Sequence, residues 1–509
     1  MDHAVQHRSK NHLRNIIAFV LWAIVVIFVF IRHENWRDEA QAWLMARDLD
    51  IPGLIAQMKY EGHPCLWHLI LMPFAKLGLP YETMNIVSIV ITAIAVALLL
   101  WKSTLPYVVK LVMIFGSALL YYMPIVSRSY CLIPLFLFMN ACCYPSRRKH
   151  PLFYGLTIAL LIQTHVYLLG VPAMMSILWL IESFADFKKD RCFKNLMKQA
   201  VGLLLPLLSL LFLVYQIMGS TESSAFNGSL FSIYDFFFAY ARNFKIENSF
   251  MASPGGTKPY FSAFSVVLAA IFAGMLVLTA IYMLRKKNSE GLKILLIFTF
   301  GLLVRVLIAA ILYPAIGAQK MTIVFFMAVW LLWAIWQHID ARNVKRFMLI
   351  ALGMVCLVNT VNTIDAFRDI SEDFTDAKNC AEYINSSIPE DAVLLQNDNP
   401  VSSAILPYLN REGLYSLVTG EYTSYTTWKN IYPTITEYDM LCELAKSINP
   451  DAEEAYVVAC PRADTFYEHN WFPEYFVEEN IVYKSARLPI CRNEAYIIYR
   501  IPLENAEIA

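Results

Sequence analysis

The stretch His33-Glu34-Asn35-Trp36-Arg37-Asp38-Glu39-Ala40-Gln41-Ala42-Trp43, joined further along by Glu61-Gly62-His63-Pro64, decides how the chain is read. It sets two adjacent carboxylates, Asp38 and Glu39, just past the end of the first apolar segment. Carboxylates are expensive inside a bilayer and usually functional when they sit near one. Charges also commonly flank membrane helices, so the bland reading is a solvated helix end. The neighbouring sequence argues against it: an amphipathic run from Ala40 to Met58, then a Gly-His-Pro leading into an apolar run too short to span comfortably.

Composition agrees with a membrane setting. Of the 509 residues, 58% are hydrophobic and 16% charged, with a mean hydropathy of +0.48. A soluble domain carries roughly a quarter charged residues, so this is a polytopic membrane protein. The net charge is zero, so no global field points to a nucleic-acid partner. The ten cysteines show no metal-ligand spacing, which argues against a structural zinc site.

Apolar runs of roughly twenty residues mark spanning helices. They fall near 14–32, 83–101, 107–125, 130–145, 151–166, 167–185, 196–218, 260–284, 292–314, 320–338 and 346–364, about eleven in all. Lysines and arginines set the orientation. Arg8, Lys10 and Arg14 place the N-terminus in the cytoplasm. Alternate crossing then puts Lys102, Arg147-Arg148-Lys149, Lys188-Lys189, Arg285-Lys286-Lys287 and Lys345-Arg346 on that same side. The parity holds only if 64–79 does not span. The first external loop therefore carries two interfacial helices, 40–58 and 64–79.

The extracytoplasmic side collects the first loop, the turns at Arg128-Ser129-Tyr130 and Thr164-His165-Val166-Tyr167, the loop 219–259, Gln319-Lys320, and everything past about 365. Arg305 stands isolated inside an apolar run, where such a residue needs a partner or a polar cavity. Its structural alternative is neutralising a buried carboxylate. In the loop 219–259 a polar start, Ser220 to Ser224, gives way to Phe231, Tyr234, Phe236, Phe237, Phe238 and Tyr240. Such aromatics read first as interfacial anchors. Residues 366–509 form a second domain, extracytoplasmic and small α/β in pattern. Its expected helices are Asp376–Ser386, Ser402–Asn410 and Thr436–Ser447. Its expected strands are Ala392–Gln396, Gly413–Val418, Ala455–Cys460 and Ala495–Ile501. The fold class is thus mainly α, with about eleven transmembrane helices and a C-terminal α/β domain.

Neighbours at a helix start diverge by about 100°, so Asp38 and Glu39 do not share a proton. One acts on a substrate while the other holds a helix N-terminus or a cation. A base at a membrane surface suits an acceptor hydroxyl or amine, with a group moving off a lipid phosphate. Arg128, Lys320 and Arg305 are the cations for that phosphate. His63 orients its loop, binds substrate or caps a helix, and His165 is similar. Asp48-Leu49-Asp50 matches a D-x-D that can hold a divalent cation, but such triplets arise often by chance.

The acidic Arg37-Asp38-Glu39-Ala40, the amphipathic helix and the Gly62-His63-Pro64-Cys65-Leu66 after it resemble the GT-C superfamily of polytopic glycosyltransferases. The protein O-mannosyltransferases and the bacterial lipid A aminoarabinose transferases are similar in pattern. There a His-Pro-Pro-Leu stands where this chain has His63-Pro64-Cys65-Leu66. Arg128-Ser129-Tyr130 resembles the family's Arg-Pro-Tyr turn, and Lys320 falls where relatives carry an Arg-Tyr opening a late helix. The resemblance implies an inverting transfer from a polyprenyl-phosphate sugar to a protein, lipid or cell-wall glycan acceptor in the cell envelope. It implies Asp38 as base, with Glu39 beside it in the catalytic pair. Substrate contacts fall to His63, Arg128, Tyr130, His165, Arg305 and Lys320. The relatives named imply no metal and no cofactor. Oligosaccharyltransferases of the same superfamily use a divalent ion, which leaves a divalent cation open. A transporter or flippase of a lipid-linked or amphiphilic substrate is the alternative. It would show paired broken helices in two halves, and the sequence has no such symmetry.

Overall fold

The computed structural model describes residues 2–218, 232–244, 263–311, 318–361, 364–397, 399–411, 414–428, 435, 437–460 and 475–503. Ser220–Ser224 and Phe231 lie outside the described residues. The helices in chain order are α1 (Asp2–Phe30), α2 (Arg37–Asp48), α3 (Ile51–Glu61), α4 (Leu66–Lys76), α5 (Thr83–Lys102), α6 (Tyr107–Ile114), α7 (Leu132–Cys143), α8 (Pro151–Ile162), α9 (Gly170–Asp190) and α10 (Phe193–Ile217). Then come α11 (Ile233–Arg242), α12 (Ala263–Arg285), α13 (Ser289–Ile311), α14 (Ala318–Ile335), α15 (Arg342–Val361), α16 (Ile364–Ser371), α17 (Ala377–Ser387), the single turn α18 (Asn399–Ser402) and α19 (Tyr438–Ile448).

Among the described residues, eight helices are long and apolar enough to cross a membrane: 12–30, 83–102, 129–146, 170–190, 193–217, 263–285, 289–311 and 319–338. Their outer faces expose Val20, Ile24 and Phe28 on α1 and Leu207, Leu211 and Tyr215 on α10. Such faces are stable only against hydrocarbon. The chain is a multi-pass membrane protein.

Two expected spans differ. The run 107–125 is not one helix: α6 ends at Ile114, and a π-helical turn covers Ala118–Tyr122 after Gly116. The carbonyls freed there take side-chain donors, with Trp22 Nε1 to Leu119 O at 2.9 Å, Ser88 Oγ to Met123 O at 2.7 Å and Asn85 Nδ2 to Ile125 O at 3.1 Å. Broken backbone persists at membrane depth only with partners of this kind. The run 151–166 yields the 12-residue α8, about 18 Å long at helical rise and short of a full span. The expected span 346–364 falls on α15, which runs to Val361; residues 362 and 363 lie outside the described residues.

The first loop holds three short helices rather than two. The run 40–58 breaks at Leu49-Asp50, because Asp50 caps α3 by accepting from Gly53 N at 2.7 Å and Pro52 stands inside its first turn. Asp48 gives both oxygens to Arg47, at 2.6 and 3.0 Å. The D-x-D is thus occupied by an ion pair and a helix cap.

The C-terminal part builds a six-stranded mixed sheet in the order β3-β2-β1-β4-β6-β5. Its strands are β1 (Val393–Gln396), β2 (Leu414–Ser416), β3 (Tyr422–Thr423), β4 (Glu454–Ala459), β5 (Ile481–Lys484) and β6 (Ile497–Pro502). β1 runs parallel to β2 and β4, and β6 pairs antiparallel with β4 and β5. Alternate side chains part to the two faces. Leu394, Tyr456, Val458 and Ile498 join the core that runs through the membrane helices. Val393, Leu395, Val457 and Ile501 pack with Leu441 and Ala445 of α19. Instead of a helix over 402–410 there is a single 3-10 turn, Leu406–Tyr408, with Pro407 inside it. Strands β3 and β5 have no counterpart among the expected elements.

At the bundle end away from the first loop, Arg147 gives Nε and Nη2 to Glu182 at 3.1 and 2.7 Å and meets Glu290 at 2.8 Å. Lys293 bridges the same two carboxylates. This network joins α9 and α13 to the turn before α8.

Helices α8 and α10 touch through glycine. A Cβ on Gly155 would lie 2.1 Å from Gly202 O, and one on Gly202 would lie 2.6 Å from Trp179 Cη2. Gly155→Val is therefore expected to cost about 3 kcal/mol or more by overpacking, read as a lower unfolding midpoint in detergent. Gly274→Ala, whose Cβ would meet open space, should not lower it.

Candidate active site

The turn of helix that begins α2 sends its two carboxylates in different directions. Glu39 points inward and is fully buried. Its Oε1 accepts from Ser127 N at 2.6 Å, and its Oε2 accepts from Trp36 N at 3.1 Å and lies 3.2 Å from His33 Nε2. The other ring nitrogen, His33 Nδ1, lies 2.7 Å from Asp369 Oδ2, which also accepts from Tyr121 O–H at 2.8 Å. Burial pulls the His33 imidazole down, but Asp369 and Glu39 outweigh it and raise it to about 10. His33 is therefore an imidazolium between two buried carboxylates.

Asp38 faces the other way and keeps its side chain one-fifth exposed. Its Oδ2 meets Arg128 Nη1 at 2.8 Å and its Oδ1 lies 3.4 Å from Arg37 Nε. Burial pushes this carboxyl up, but Arg128, Arg37, Lys320 and His63 together hold it below the usual aspartate value. Arg128 stands on the extended residue just before the 129–146 helix, and Gln319 Oε1 accepts from it at 3.5 Å.

From Arg128 a ladder of rings leads to the second cation. The Arg128 guanidinium lies 5.2 Å from the Tyr130 ring centre, and Tyr130 stacks on His165 at 5.0 Å and 26°. His165 stacks on Tyr167 at 5.0 Å and 22°, and Arg305 closes the series 5.2 Å from Tyr167. His165 Nδ1 accepts from Tyr167 N at 3.1 Å, so that nitrogen carries no proton. Arg305 is fully buried in the span formed by α13. Its Nη2 donates to Lys320 O at 2.7 Å, while Nε and Nη1 have no hydrogen-bond partner among the described residues. Among the described residues no carboxylate lies within ion-pair distance of it, so the neutralising role is not the one observed. The Lys320 ammonium sits in the field of Arg128, Asp38, Arg305 and Arg242.

The third wall comes from α3 and α4. His63 Nε2 lies 3.7 Å from Glu61 Oε2, and its ring stacks on His68 at 5.5 Å and 11°. Burial, reinforced by Arg128, lowers His63 to about 4, so it is neutral at pH 7. Burial pushes Glu61 up to about 7, against hydrogen bonds from Gln41 and Gln57. Gln41 Nε2 donates to Glu61 Oε1 at 2.7 Å and to Thr426 O at 2.6 Å, and Thr426 N donates back to Gln41 Oε1 at 2.8 Å.

The structure thus gathers Asp38, His63, Arg128, Tyr130, His165, Arg305 and Lys320 in one place. It turns Glu39 away from that place into the protein. Sequence reasoning missed His68, Tyr167, Arg242 and the His33–Asp369 pair as parts of the site. His68 is a polar residue within the otherwise apolar α4, which is a usable signal. Asp369 lies 336 residues from His33 and gives none. Among the described residues no three His, Cys, Asp or Glu side chains converge as metal ligands.

No family model matches the chain, and no curated protein matches its sequence. Its structure is similar to the crystal structure of ArnT from Cupriavidus metallidurans in the apo state, with a TM-score of 0.49 and 11% identity over 95% of this chain and 97% of that one. It is similar to ArnT of the same organism bound to undecaprenyl phosphate, with a TM-score of 0.48, 11% identity and the same coverage. A likeness of this degree decides neither activity nor ligand.

The His33 pair has a pH signature. With its folded value raised to about 10, its contribution to stability is complete below the unfolded value of about 6.5 and disappears as pH rises through about 10. The unfolding-midpoint difference between wild type and His33→Asn should be constant below pH 6.5 and shrink steadily above it. A difference that grows with pH would contradict an imidazolium there.

Proposed function

We propose that the chain is a glycosyltransferase that moves a sugar from a polyprenyl-phosphate donor to an acceptor at the extracytoplasmic membrane face. The reaction is a single inverting displacement. The bond from the anomeric carbon to the phosphate oxygen breaks and its electron pair leaves with the phosphate. The acceptor oxygen or nitrogen bonds to that carbon from the opposite side, and its proton passes to the Asp38 carboxylate.

The observation that carries this reading is Arg305. Among the described residues this buried guanidinium has Nε and Nη1 unsatisfied and no carboxylate beside it, an arrangement that costs several kcal/mol. An anion bound there recovers that cost. Lys320 and Arg128 share its field with Asp38. A lipid phosphate enters such a place from the membrane side and an acceptor from the water side. The basic residues at the opposite end of the bundle, Arg147 and Lys293 among them, support a cytoplasmic position for that end and an extracytoplasmic one for the site.

The Asp38–Arg128 pair gives the base its timing. While Arg128 sits 2.8 Å from it, Asp38 is ionised but a weak base. A phosphate that draws Arg128 away removes the largest stabilising charge and raises the affinity of Asp38 for a proton. Glu39, committed to Ser127 and His33, positions this arrangement and takes no proton from substrate. Tyr130 and His165 spend their faces in the ring ladder and act by fixing the two arginines. His63, neutral and partly exposed, offers a hydrogen bond to the sugar or acceptor.

The test is transfer of radiolabelled sugar from polyprenyl-phosphate donors to membrane extracts. Asp38→Asn is expected to lower turnover by about 10²–10⁴-fold while retaining binding of polyprenyl phosphate. Arg305→Met is expected to lose that binding. Undiminished turnover in Asp38→Asn would sink the assignment of the base.

A further inference from the structure

Residues beyond the membrane helices reach the start of α2 from three sides. Asp369 of α16 holds His33 at 2.7 Å, and the His33 ring lies against Phe374 with centres 4.8 Å apart. Glu494 is fully buried, and both of its oxygens accept from Arg37 N at 3.3 Å. Arg37 N is the first amide of α2, which has no intrahelical acceptor, and a carboxylate there also suits the helix dipole. Thr426 trades two hydrogen bonds with the Gln41 amide one turn further along. The first two holders are one unit, since Cys491 N donates to Phe374 O at 2.9 Å and Asp376 N donates to Glu494 O at 3.1 Å.

Each grip acts on a residue next to the base. Glu494 fixes the amide of Arg37, whose side chain lies 3.4 Å from Asp38. Asp369 fixes His33, which fixes Glu39, which accepts from Ser127 N at 2.6 Å. Ser127 is the residue before Arg128. The chain of contacts therefore sets both members of the Asp38–Arg128 pair, one from each side. The side chains of Asp369, His33 and Glu494 are all buried, and none of the three contacts Arg305 or Lys320 in the ring-ladder wall.

We propose that the C-terminal α/β domain is the positioning arm of the active site: Asp369, through His33 and Glu39, places Arg128, and Glu494, through Arg37, places Asp38. The domain is then part of the catalytic apparatus and not an appended module. This rests on the transferase reading for its kinetic consequence, though not for its structural one.

The experiment uses the full chain in nanodiscs, with Asp369→Ala, Asp369→Glu and Glu494→Ala. Hydrogen exchange is read at the amides of 36–41 and 125–129 and at the β1 and β4 amides as an internal reference. Steady-state transfer is read with a polyprenyl-phosphate sugar. Both alanine variants should speed exchange at 36–41, and Asp369→Ala also at 125–129, with β1 and β4 unchanged. Their kcat should fall by about a hundredfold, the scale of a 1 Å misplacement, with KM unchanged in Glu494→Ala, where neither Arg305 nor Arg128 is touched. Asp369→Glu should recover part of both effects. Exchange that stays at the wild-type rate, or that rises equally in β1 and β4, overturns the proposal. If the wild type consumes no donor, the transferase reading fails alone and the exchange data still decide the positioning claim.

Discussion

The site depends on one rotation of about 100° between Asp38 and Glu39. A helix cannot point two successive side chains the same way, so Glu39 is spent on the protein while Asp38 faces Arg128. Glu39 binds the backbone amide of Trp36 at the cap of its own helix, the amide before Arg128, and an imidazolium, with its side chain fully buried. Each bond is charge-assisted and therefore stronger than a neutral one. Removing the carboxylate would leave a buried imidazolium and two amides short of partners. The turn that carries Arg128 has its place because Glu39 has nowhere else to point.

A second constraint lies in the wall beyond Arg128. Arg305 and Arg128 are held apart by the three stacked rings of Tyr130, His165 and Tyr167. Stacked aromatic faces attract cations at both ends, so the ladder is a spacer with a preferred length. One end meets the carboxylate that would accept a proton. The other offers unsatisfied donors to an anion. The proposed reaction needs a base and a leaving-group anchor at fixed separation, and this wall carries Arg128, the partner of Asp38, at one end and Arg305 at the other.

Much of the fold was legible in the sequence. The apolar runs read as about eleven spans, of which eight are long apolar helices among the described residues, and the charged turns at Asp38, Arg128, His165 and Lys320 were expected on one face because crossing parity puts them there. That Asp38 and Glu39 point apart followed from helical geometry; which of them turns inward did not. Glu39 was expected in the catalytic pair, and its burial is decided by Ser127 and His33, remote partners that no local pattern reveals. The break at Gly116 hid inside an apolar run because the donors that tolerate it, Trp22, Ser88 and Asn85, belong to other helices. Asp50 before Ile51-Pro52 was a readable helix start that the D-x-D pattern masked. The grip of Asp369 and Glu494 on α2 lay beyond sequence reasoning, since it joins segments more than three hundred residues apart.

The measurement that bears most directly on this mechanism is a structure of the protein with polyprenyl phosphate bound. The expected result is phosphate oxygens within hydrogen-bond distance of Arg305 Nε or Nη1, and an Asp38–Arg128 separation longer than the 2.8 Å seen here. A phosphate seated away from Arg305, with the Asp38–Arg128 pair intact, would contradict it.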